Sequence, residues 1–73
     1  IHKNELDPAE GHLKKALQID SKYSVAYFQL AIVSYLKKDD VLARSYFDQA
    51  REHGYPKMKY ENLGSYIQEE YLT

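Results

Sequence analysis

Residues Ser24 to Pro56, SVAYFQLAIVSYLKKDDVLARSYFDQAREHGYP, decide the fold. From Val25 to Leu36 only Gln29 and Ser34 interrupt the apolar residues, so a helix here is greasy nearly all round and must be covered on several sides. Ser24 can cap its start. Lys37 and Lys38 place cations in its last turn, where they complement the macrodipole, and Asp39-Asp40 supply the next N-cap. The helix that follows, about 41 to 53, carries Ala43, Phe47 and Ala50 on one stripe with Tyr46 beside it. It ends at His53-Gly54, a cation followed by a residue suited to a left-handed cap.

The flanks read the same way. Asp7-Pro8-Ala9-Glu10 is a helix start, with Asp at the N-cap, Pro at the first helical position and Glu closing a capping box. Ala9, Leu13, Ala16 and Leu17 recur at helical spacing, predicting a helix over about 8 to 19. After the sharp connection at Tyr55-Pro56, a further helix of about 57 to 71 sets Tyr60, Leu63, Gly64, Ile67 and Tyr71 along one face. No segment alternates apolar and polar residues over a useful length, so the class is all-α, with about four helices.

Shifting the chain by 34 residues lays Ala9 on Ala43, Leu13 on Phe47 and Ala16 on Ala50. Small, large, small at intervals of four and three lets a neighbouring helix come close at the alanines while the large residue fills the gap between them. In this register Tyr27, Leu30, Ala31, Ala43, Phe47 and Ala50 stand in the pattern of a tetratricopeptide repeat, which the chain resembles over about residues 7 to 71. Ser34 and Tyr55 depart from that pattern, each with the preferred Tyr or Pro beside it. Tyr60, Leu63, Gly64 and Ile67 repeat the opening half of the motif 33 residues after Tyr27, Leu30, Ala31 and Ser34. Gly64 would cost an exposed helix about 1 kcal/mol relative to Ala, which points to a close helix crossing there.

The resemblance implies antiparallel helix hairpins stacked as a fragment of a right-handed superhelix. Residues 1–73 then form one domain: 7–23 the second helix of a preceding repeat, 24–56 a complete repeat, and 57–73 the first helix of a following repeat or a capping helix. About three repeats are normally needed for a stable stack. The first helix lacks its own partner, so the expectation is that a longer parent chain continues the array or that two copies associate through this open end. A chain starting at Ile rather than Met reads as a piece of something longer.

Composition narrows the chemistry. Seventy-three residues with 10 Lys+Arg, 11 Asp+Glu and no Cys make one small domain without a disulfide frame or thiolate metal site. A net charge of −1 gives no global attraction for phosphate backbones, and no apolar run exceeds four residues, so neither nucleic acid nor membrane is expected as a partner. His2, His12 and His53 lack the spacing of a helical metal pair. His53 is accounted for as a helix C-terminal cation, Asp39-Asp40 as caps, and Glu69-Glu70 as a solvated acidic end. No catalytic residue, metal ligand or cofactor site is expected, and no enzyme. The eight Tyr are read as core or rim residues rather than base-stacking platforms.

A candidate partner-binding cluster remains: Val25, Phe28, Gln29, Ile32, Tyr35 and Leu36. In the geometry the resemblance implies, these line the concave surface, and the aromatic pair with its aliphatic neighbours would approach the few hundred Å² at which an exposed patch signals a partner. Either this is an open apolar groove, or neighbouring helices, a second copy included, cover it. The family's carboxylate clamp is absent, because Phe28, Gln29 and Ile32 stand at the corresponding places. The expected function is a protein interaction scaffold binding a hydrophobic peptide or helix. A self-assembly module is the alternative, or an accessory segment of a larger catalytic or signalling protein.

Overall fold

A computed structural model describes residues 6–71. Helix α1 runs Leu6–Ile19, α2 Ser24–Leu36, α3 Asp40–Glu52 and α4 Leu63–Tyr71, with a 3-10 turn over Tyr60–Asn62 leading into α4. No strand occurs among the described residues. The helices pack on one another as hairpins joined by short links, with α2 in the middle against both α1 and α3.

Local chemistry explains most boundaries. The Asp39 carboxylate accepts a hydrogen bond from the Leu42 amide at 3.2 Å and so caps α3. At the far end Gly54 takes φ +96°, its amide donates to the Arg51 carbonyl at 3.0 Å, and the Tyr55 amide donates to Ala50 at 3.1 Å. That pair of bonds is a Schellman cap. The same cap closes α2, where Lys38 holds φ +64° and the Lys38 and Asp39 amides donate to Tyr35 and Ser34.

Three local expectations are corrected. Ser24 is the first helical residue, and the N-cap is Tyr23, which offers no side-chain bond. Asp7 lies inside the first turn of α1 instead of capping it, and its carboxylate pairs with Lys37 at the end of α2. Glu10 likewise turns to Lys14 and Lys37, each at 3.6 Å. These bonds hold the Lys37 ammonium above the ordinary lysine range, the hydrogen bond to Asp7 most of all. The last helix starts later than its apolar spacing suggests: Lys57 to Lys59 are not helical. None of those three residues can cap, and the chain instead buries Pro56 and lays Met58 against the core before Tyr60 begins the turn.

The core joins Phe28, Ala31 and Ile32 of α2, Phe47 and Ala50 of α3, and Leu63 and Ile67 of α4. Tyr60 stands edge-on to Phe47, with centroids 5.4 Å apart, and the Arg44 guanidinium lies 5.1 Å from its ring centre. The Ser34 and Tyr60 hydroxyls are buried without a hydrogen-bond partner. Burial pushes the Tyr60 phenol up, Asp40 and Tyr35 add to this, and Arg44 opposes it.

Candidate functional site

The six residues expected to line a groove divide. Gln29 is exposed, and Val25, Tyr35 and Leu36 are half-buried. Phe28 and Ile32, at 2% and 0% exposure, are core. The expectation of an apolar surface is therefore corrected at these two positions: they lie in one cluster with Leu63 and Ile67 of the chain's own α4. The reason is mass balance of apolar area. Leu63 and Ile67 need a partner, α2 presents the nearest greasy face, and burying a side chain of this size is worth about 1.5–3 kcal/mol. Phe28 is further enclosed by Tyr55 at 5.3 Å, edge-on, and by Tyr66 at 5.4 Å.

The unfilled surface lies at the opposite end, on α1. Ala43, Phe47 and Ala50 of α3 are all at 0% exposure. Their counterparts 34 residues earlier, Ala9, Leu13 and Ala16, are only half-buried, and Leu6 alone is buried in α1. The difference comes from neighbours. α3 is held between α2 on one side and the Leu63 and Ile67 side chains of α4 on the other, whereas α1 rests on α2 alone. At the C-terminal end of α1, Ile19 is 89% exposed and Tyr23 is exposed beside it. Ala16, Ile19, Asp20 and Tyr23 enclose a shallow hollow of about 310 Å³. Asp20 holds its rim in shape by accepting from the Lys22 amide at 3.1 Å. Ile19 and Tyr23 were not among the expected site residues. The offset that pairs Ile19 with His53 was the available signal, because the His53 ring is stacked on Tyr27 at 5.7 Å while Ile19 has nothing equivalent over it.

A second hollow, about 430 Å³, lies between α3 and the 3-10 turn and is lined by Arg44, Asp48, Arg51, Lys59, Tyr60 and Glu61. Cations and carboxylates alternate around it, so it has no strong preference for either sign. Among the described residues no group of three or more His, Cys, Asp or Glu side chains could hold a metal ion, and no helix is long and apolar enough to cross a membrane. No family model matches the chain, and no curated protein and no solved structure matches it.

Proposed function

We propose that the chain is a non-enzymatic, tetratricopeptide-like scaffold that binds another polypeptide by helix packing. The observation that carries this reading is the α1 stripe: side chains whose repeat equivalents are fully enclosed stand half-open here. Small, large, small is a surface shaped for a helix, since the alanines admit close approach and Leu13 fills the gap. The partner segment is therefore an amphipathic helix rather than an extended strand, which would need an unpaired sheet edge to dock on. Val25, Gln29, Tyr35 and Leu36 keep enough surface to contribute at the rim of the α2 face.

The test is titration of the 15N-labelled chain with a synthetic helical peptide that carries α2's pattern, Tyr, then Leu-Ala three residues on, made soluble by Lys and Glu on its outer face. Amide shifts are expected at Ala9, Leu13, Ala16 and Ile19. Shifts confined to other residues, or none, contradict the reading.

A further inference from the structure

We infer that the partner seated on α1 is α1 of a second copy, in an antiparallel two-fold dimer; this rests on the scaffold reading above and names its partner. A two-fold interface must be self-complementary, and the stripe is. Helix α1 spans Leu6–Ile19, so its midpoint falls between His12 and Leu13. Ala9 and Ala16 stand symmetrically about that point, and so do Leu6 and Ile19. Antiparallel pairing about the midpoint sets Ala9 of one copy against Ala16 of the other, small against small, so the helices can approach closely. The exposed Ile19 of each copy then reaches the start of its mate's α1, covering apolar surface that nothing in the single chain covers.

Charge supports the same orientation. Asp7 and Glu10 lie in the first half of α1, Lys14 and Lys15 in the second. An antiparallel pair lays each acidic half along a basic half and aligns the macrodipoles favourably, whereas a parallel pair opposes like charges. Head-to-tail stacking, with α4 of one copy on α1 of the next, is disfavoured because α4 and the turn before it turn Glu61, Asn62, Ser65 and Gln68 to solvent. That is the polar outer face of a cap. The interface is a single helix of about 21 Å per copy, at the small end for specific association, so the dimer is weak and fills only at high concentration.

Sedimentation equilibrium of the full chain from micromolar to about millimolar concentration tests this in the weak-affinity range. The mass is expected to climb from 8.6 kDa to twice that value and stop. Ile19→Lys, at a position exposed in the single chain, should keep the helical circular dichroism and raise the dissociation constant about tenfold or more. An oxidised equimolar mixture of the Ala9→Cys and Ala16→Cys chains should yield chiefly the mixed disulfide, against a background of no native Cys. A mass fixed at 8.6 kDa, a mass rising past the dimer, indifference to Ile19→Lys, or a predominance of like-with-like disulfides overturns the dimer. A monomer that still takes the α2-type peptide on α1 would sink only this inference, whereas an α1 indifferent to that peptide would sink the scaffold reading.

Discussion

The Tyr35 hydroxyl lies over Gly64, 2.6 Å from where a β-carbon on Gly64 would stand, with the ring carbon that bears it at 3.5 Å. A side chain of α2, not a second helix backbone, is thus what Gly64 makes room for. Replacing Gly by Ala inside a helix gains about 0.5–1 kcal/mol, but here the new methyl must displace the phenol. Gly64→Ala should therefore stabilise the Tyr35→Phe chain by about 1 kcal/mol, since the remaining ring contact is ordinary van der Waals distance. In the native background the gain should be at most half as large. Urea unfolding of the four chains of this double-mutant cycle checks the point, and equal effects in both backgrounds would contradict it.

Lys38 occupies the left-handed region at φ +64°, the same place in its cap that Gly54 holds after α3. The conformation costs a side chain about 1 kcal/mol or more. Lys38 is exposed, so its removal loses no packing. Lys38→Gly should stabilise the chain by about 1 kcal/mol, raising Tm by about 4–8 °C in a domain of this size. A thermal melt showing no rise would mean that the cap is not strained.

Phe28 and Gln29 are neighbours with opposite fates. Phe28→Lys puts an unpaired charge where three rings converge and removes a large side chain whose truncation alone costs about 3–5 kcal/mol. That is comparable to the whole stability of a chain this short, about 4–11 kcal/mol at ~0.05–0.15 kcal/mol per residue. Loss of the helical circular dichroism signal at 25 °C is the expected outcome. Gln29→Lys, at an exposed site, should shift stability by about 0.5 kcal/mol or less. A folded Phe28→Lys chain would restore that residue to the surface.

Chain-local signals carried the all-α architecture. Asp39 caps α3 because a carboxylate three residues before an amide can reach it, and Gly54 ends α3 because only Gly adopts that angle cheaply. Both facts are visible in a few consecutive residues. The misreadings all concern partners distant in sequence. Asp7 looks like a cap until Lys37, thirty residues on, takes its carboxylate. Residues 57–59 look helical until Pro56 and Met58 are drawn to a core built from α2 and α3. Phe28 and Ile32 look like a groove until α4 covers them, because periodicity tells which face is apolar and not what lies on it. The open stripe of α1 was legible through the repeat, as a helix without its mate. Which of its residues would stand exposed required the packed chain.

The central claim is that α1 and α3 carry the same helix-seating stripe and differ only in whether it is occupied. Ala16→Leu and Ala50→Leu, compared by urea unfolding in dilute solution, test it most directly. Enlarging Ala50, at 0% exposure, should overpack the core and cost about 1–3 kcal/mol. Enlarging the half-open Ala16 should cost about 0.5 kcal/mol or less. Equal losses at the two positions would mean that the stripe of α1 is already filled, and would contradict the account.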